Sequence, residues 1–289
     1  MKNRRSMLFM PGNNPGMLVS ADILGADSII YDLEDAVALD EKDSARNLVR
    51  NALSFLKFTH SEITVRINPI DSPYWEKDLE AIIPVLPDGI VIPKASVDAV
   101  HSVEQKINEI KKAHNITKNF SFLMLVESAR GIMDVNSIAK ASPLIQGLLL
   151  GGEDYSVDMG IQRTRLSKEL EYARFSLTTA AHAYGLDSLD TPFTDVEDFE
   201  GLRLDTAFSK SIGFSGRLVI NPRQVEEIHK IFSPSSAEIE RAEAILQAAE
   251  EAIQKGLGVF SFKGKMVDLP VIKRAQALYD SAKNWGLIK

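Results

Sequence analysis

What most constrains this chain is an eightfold alternation of short apolar runs and amphipathic stretches, from Ser6 to about residue 232. The apolar runs read as strands: Ser6–Met10, Ser28–Leu33, Ile63–Asn68, Gly89–Lys94, Phe120–Glu127, a run inside Leu144–Asp158 that ends Leu148-Leu149-Leu150, Ser188–Pro192 and Arg217–Asn221. Their lengths suit strands and are too short for buried helices. Between them the apolar residues recur at helical spacing. The stretch 41–56, for example, places Ala45, Leu48, Val49, Ala52, Leu53 and Leu56 on one face. Helices are expected at 17–25, 41–56, 74–86, 97–114, from about 131, at 167–184, at 197–212 and at 222–232, the last opening on Pro222 as a first-turn proline. Parallel neighbours need a crossover between them, and eight strand–crossover units close into an α/β architecture, the (β/α)8 or TIM barrel. An open doubly wound sheet competes less well. No G-x-G-x-x-G follows the first strand, and polar residues end many strands rather than gathering at one switch point.

The chain has 289 residues, enough for one such barrel with an extension. We expect a catalytic barrel over 1–232 and a C-terminal helical extension or lid over 233–289. In the latter, Ser235 and Glu238 form a capping box. Ile239, Ala242, Leu246, Ala249 and Ile253 make an apolar seam, and Gly256 closes the helix. A glycine-flanked segment, Met266-Val267-Asp268-Leu269-Pro270, then leads to a final helix ending near Trp285. Such a segment reads as a lid or a subunit contact.

Net charge is −7 with no long basic run, which argues against sequence-independent nucleic-acid binding but leaves room for a local basic pocket. There is no cysteine, so thiolate catalysis and cysteine-ligated metals are excluded. No apolar run approaches the roughly 20 residues of a membrane span, and the stretch at the N-terminus is too short for a signal peptide. The expected location is cytoplasmic.

In a barrel of this kind, active sites sit at the C-terminal ends of the strands. The polar residues there are Glu34 and Asp35, Arg66 and Asn68, Lys94, Glu127, Glu153 and Asp154, Asp190 and Asn221. Glu127 ends the fifth strand and Asp154 the sixth. Adjacent strands lie roughly 4.8 Å apart, so these two carboxylates can converge on one hard, oxygen-preferring cation such as magnesium. Gly151 and Gly152 remove side chains where backbone or ligand must approach. The Arg66 fork matches a substrate carboxylate, and equally an internal salt bridge to one of the acids. Lys94 reads either as an anion contact or as a solvated rim charge. The five histidines, His60, His101, His114, His182 and His229, lack ligand spacing and read as structural or solvated.

The segments RRSMLFMPGNN near the start, YDLEDAV at 31–37, VRIN at 65–68, VESARGI at 126–132, GGEDYSVD at 151–158, GFSGRLVINPRQVEEI at 213–228 and GKMVDLPVIKRAQ at 264–276 carry a resemblance. Together they resemble the citrate lyase beta-subunit family, within a wider group of malyl-, citramalyl- and citryl-thioester lyases. The resemblance implies magnesium-dependent cleavage of a citryl thioester to oxaloacetate and an acetyl thioester. It implies Glu127 and Asp154 as metal ligands, Arg66 as the carboxylate clamp, and Asp268 as an acid that reaches a neighbouring subunit's site and exchanges the α-carbon proton. It also implies a homo-oligomer, a trimer in the family, working with an acyl carrier protein and acyltransferase subunits. Asn68, Lys94 and Gly152 are expected to help bind substrate, and Glu34 and Asp35 to serve the hydroxyl proton. Malyl-type lyases often read I-H-P where this chain has Ile220-Asn221-Pro222, which favours the citrate lyase branch over free malyl- or citramalyl-CoA substrates. A scaffold subunit without chemistry is the non-enzyme alternative, and the acids at several strand ends speak against it.

Overall fold

The computed structural model describes residues 4–254 and 256–288, which divide into two compact units at His229/Lys230. In the first, eight parallel strands close on themselves: β1 (Ser6–Pro11), β2 (Ser28–Asp32), β3 (Glu62–Arg66), β4 (Gly89–Ile92), β5 (Ser121–Val126), β6 (Ile145–Leu150), β7 (Asp187–Asp190) and β8 (Gly216–Val219). The order around the barrel is the order of the sequence, and β1 pairs with both β2 and β8. One irregularity interrupts the β5–β6 ladder at Phe122/Leu123. Met7, Ile30, Val91, Leu123, Leu125, Leu149, Leu189 and Leu218 pack together as one buried cluster, drawing a side chain or two from seven of the eight strands. The barrel is therefore filled, and chemistry is left to its rim.

The connecting helices are α1 (Pro15–Ser20), α2 (Lys42–Phe55), α3 (Trp75–Ile82), α4 (Val97–His114), α5 (Ala129–Met133), α6 (Val135–Ala139), α7 (Gly152–Asp158), α8 (Glu171–Tyr184), α9 (Phe199–Ser211) and α10 (Val225–Phe232). The spacing predicts 97–114, and α4 spans the same residues. Its ends are fixed by the Ser96 hydroxyl on the Ala99 N–H and by a left-handed Asn115. Two departures from expectation bear on function. The helix expected from about 131 is split at Asp134 into two five-residue pieces, the first starting at Ala129 behind a Ser128 cap. The sequence GGEDYSVD, which lies outside every helix expected from the spacing, is the helix α7.

In the second unit, α11 (Ser236–Gln254) and α12 (Leu269–Asn284) flank a hairpin of β9 (Phe260–Phe262) and β10 (Lys265–Val267). The hairpin turns through Lys263 and Gly264, both at positive φ, the primed-turn geometry that matches strand twist. Ala242, Ile245, Val267 and Ala275 form its buried cluster, joined by Phe260, Phe262, Ile272 and Leu278. Among the described residues no helix is long and apolar enough to cross a membrane.

Candidate active site

Two clefts meet over the same acids at the C-terminal ends of the strands. One, of about 340 Å³, is walled by Phe9, Leu125, Pro192, Leu218 and Ile220, with Asp32, Asp35, Arg66, Glu127 and Asp154 on its polar side. The other, of about 500 Å³, runs along Glu34, Lys42, Asn68, Lys94 and Ser128 and shares Asp35, Glu127 and Asp154. The first is an apolar pocket with convergent polar groups, the usual form of a small-molecule site.

Arg66 ends β3 beside the end of β2, where the register pairs it with Asp32. Its Nε donates to Asp32 Oδ1 at 2.7 Å and its Nη2 to Oδ2 at 2.6 Å, a bidentate fork. Nη1 lies 2.6 Å from Glu34 Oε2 and 3.8 Å from Asp35, and the guanidinium sits 4.9 Å above the Phe9 ring. An internal salt bridge to Asp32 fixes Arg66, and the residue also lines the pocket. Burial opposes its charge, but Asp32, then Glu34 and Asp35, outweigh that and push its pKa up. Asp32, passed over in the sequence, also accepts the N–H groups of Glu34 and Ala36, shaping the loop after β2.

Glu127 is 6% exposed, and burial pushes its pKa up to about 8, with Glu34 and Asp154 adding to the shift and the Lys94 N–H opposing it. That N–H donates to Glu127 Oε1 at 2.6 Å from a residue whose φ is +46°, a left-handed backbone that a lysine adopts only under constraint. Lys94 therefore serves the site through its main chain, while its exposed Nζ lies 3.4 Å from Asp71. Glu34, 6% exposed, is pushed up to about 7, first by burial and then by Asp35, Asp32 and Asp154 against the pull of Arg66. Its Oε2 sits close to Arg66 Nη1 without the alignment of a hydrogen bond, leaving that buried oxygen without a donor. Asp154 faces solvent as a residue. Partial burial of its carboxyl and the Asp35 charge still shift it upward, and it lies within hydrogen-bond reach of Glu127.

Gly151 and Gly152 owe their lack of side chains to close approach. A Cβ on Gly151 would lie 2.5 Å from the Glu127 Cβ, and one on Gly152 would lie 2.6 Å from Thr191 Oγ1. Gly152 therefore presses on the protein's own Thr191 as well as lining the pocket. Asn68 is buried. Its amide donates to Leu33 O and to Asp78 Oδ2, and Asp78 in turn receives Arg46, so Asn68 braces the loop after β3. Glu153 pairs with Arg163 of the following loop at 2.8 Å. Asp190 is not at the rim: it is fully buried with Arg174, Arg217, Asp205 and Ser209. Asn221 bonds its own backbone neighbour, Arg223. Asp268 lies in the second unit, where it caps α12 by accepting the Val271 N–H. Sequence reasoning overlooked Asp32, Asp78 and Thr191; Asp32 and Thr191 each stand one residue before the end of an expected strand, whereas Asp78 carried no such signal.

A family model described as HpcH/HpaI aldolase/citrate lyase matches residues 5–222. The citrate lyase subunit beta of Leuconostoc mesenteroides subsp. cremoris is 44% identical, covering 94% of this chain and 91% of that one. Its counterpart in Haemophilus influenzae is 42% identical, with 98% of each chain covered. An L-malyl-CoA/beta-methylmalyl-CoA lyase of Cereibacter sphaeroides is 33% identical over 96% of this chain and 94% of its own. Among solved structures, the CitE protein of Mycobacterium tuberculosis in complex with magnesium, acetoacetate and coenzyme A aligns with a TM-score of 0.80 at 28% identity, over 98% of this chain and 100% of that one. On the family match through the barrel and identity above 40% over nearly the full length of two relatives, this chain belongs to the HpcH/HpaI aldolase/citrate lyase family of carbon–carbon lyases, on its citrate lyase beta-subunit branch.

Proposed function

We propose that this chain cleaves a citryl thioester, delivered on an acyl carrier protein within a citrate lyase complex, to oxaloacetate and an acetyl thioester. The observation that carries the reading is the meeting, at one apolar pocket, of the Glu127–Asp154 pair with an arginine already fixed by its own carboxylate partner.

The donor set fits magnesium. Glu127 and Asp154 offer the carboxylate oxygens that a hard cation takes, and both line the same two clefts. Among the described residues no group of three or more carboxylates and imidazoles gathers as a ligand set, and we assign the positions beyond Glu127 and Asp154 to water and substrate. When bound, magnesium supplies Lewis-acid polarisation of the oxygens at the bond to be broken.

The protein's own groups do the rest. Arg66, held by Asp32, receives the carboxylate of the half that leaves as oxaloacetate, and needs no reorganisation to do so. Glu34, with an oxygen free of donors and a pKa near neutrality, takes the proton of the tertiary hydroxyl; Asp35, exposed at the mouth, relays it to water. The carbon–carbon bond then breaks and its electron pair passes to the thioester α-carbon, where Asp268 of a neighbouring copy delivers a proton. Phe9, Leu125, Leu218 and Ile220 wall the pocket and limit the water that reaches it.

Glu127→Gln and Asp154→Asn are expected to abolish magnesium-dependent release of oxaloacetate from citryl thioesters while keeping the circular dichroism of the wild type. Full turnover by either variant rejects the ligand assignment. The 33% identity to a malyl-CoA lyase supports a second reading, action on a free CoA thioester. Rates with citryl-carrier, citryl-CoA and citramalyl-CoA decide between the two.

A further inference from the structure

The helix that carries Asp154 begins with no cap of its own. Gly151 stands at its N-cap position without a side chain to accept a backbone N–H, and the first N–H groups of a helix need acceptors from outside it. The Gly152 N–H finds one on another strand's end, donating to Thr191 Oγ1 at 3.0 Å in a buried contact. Thr191 is 0% exposed and is itself held: its N–H donates to Asp190 Oδ1 at 2.9 Å. Asp190 is clamped in turn by Arg174, Nε at 3.1 Å and Nη2 at 2.9 Å, and by the Ser209 hydroxyl. Contact is as close as the hydrogen bond implies, since any Cβ on Gly152 would meet Thr191 Oγ1 at 2.6 Å. The start of α7 is thus pinned to a buried ion cluster, two residues before Asp154. Glu127 is fixed separately, by the Lys94 N–H.

We infer that Thr191 is a positioning residue for Asp154, its hydroxyl fixing the first turn of α7 so that Asp154 and Glu127 meet at one magnesium ion. The inference rests on the reading in which those two carboxylates hold the metal. Thr191 acts only through Gly152, two peptide units from the ligand within one helical turn. Partners of this outer kind set the orientation of ligands, and their loss weakens metal binding by about 10- to 100-fold.

The test is calorimetric titration of magnesium ion alone into the metal-free full chain. Thr191→Val keeps the shape of the side chain and removes the acceptor, and should raise the magnesium Kd about tenfold or more. Thr191→Ser keeps the hydroxyl and should stay within about twofold of wild type. A merely structural role would lower the unfolding temperature of the metal-free protein and leave the Kd unchanged, and that result overturns the inference. Equal weakening in the Val and Ser variants overturns it too, because the hydroxyl is then not the cause. If Thr191→Val does not fold, Thr191→Ala removes the same acceptor without added bulk and carries the same expectation. Failure of the underlying reading looks different: the wild type would then show no specific magnesium binding, or Glu127→Gln and Asp154→Asn would bind magnesium as tightly as the wild type. Normal binding by wild type, its loss in both ligand variants and an unchanged Thr191→Val reject the role of Thr191 alone.

Discussion

Arg66 has five N–H groups, and two are hydrogen-bonded to Asp32 while Nη1 pairs by charge with Glu34. A lysine here has one ammonium to set against Asp32, Glu34 and a substrate at once, with no planar fork to hold it in place. Arg66→Lys should therefore lower kcat/KM for a citryl thioester on the order of a hundredfold. Near-wild-type kinetics would mean that Arg66 does no more than neutralise Asp32. The Arg66 alternatives could be named from the sequence but not separated, because pairing with Asp32 depends on strand register and on a partner 34 residues away. The same limit applied to Lys94. Its side chain drew attention, whereas what it gives the site is a backbone N–H aimed by a φ of +46°, and no residue type announces that.

Among the elements, α7 was the one most thoroughly hidden. Gly151-Gly152 reads as the end of a strand and a turn, and the acceptor that lets a helix start there, Thr191, is 39 residues downstream. The hairpin of β9 and β10 escaped for a simpler reason, since three-residue strands are too short to show alternation. The strands and α4 were legible because each carries its own pattern and, for α4, its own caps. A different element, α10, is tied to the start of β1 through His229, whose Nε2 is 2.7 Å from Ser6 Oγ and 3.7 Å from Asp27. Burial lowers the His229 pKa, with Arg5 adding to that and Asp27 opposing it. A depressed imidazole costs nothing while both states are neutral. Below the unfolded value of about 6.5, the unfolded chain binds a proton that the folded chain resists, so stability falls with pH by at most about 1.4 kcal/mol per unit. Urea unfolding at pH 7.5 and 5.5 should show this loss in the wild type, and His229→Gln should flatten that part of the slope. An unchanged slope in the variant would assign the loss to other groups.

At the scale of the molecule, the proposed chemistry needs a second copy, because Asp268 belongs to the smaller unit and is assigned to a neighbour's site. Asp268→Asn and Arg66→Ala should each be nearly inactive alone, while oligomers assembled from both should recover turnover at the sites that combine an intact Arg66 with an intact Asp268. No recovery in mixed oligomers verified by mass spectrometry would confine Asp268 to its observed duty as the cap of α12. The barrel carries a consequence of another kind. Because β1 is hydrogen-bonded to β8 as well as to β2, the native ring has no free strand edge. A nascent chain still attached to the ribosome is in a different position: with β1 to β7 made and Gly216–Val219 still to come, it presents two open edges. Open edges are templates on which one chain adds to another. The hazard of misassembly for this sequence is therefore concentrated in synthesis, in the interval before its eighth strand emerges.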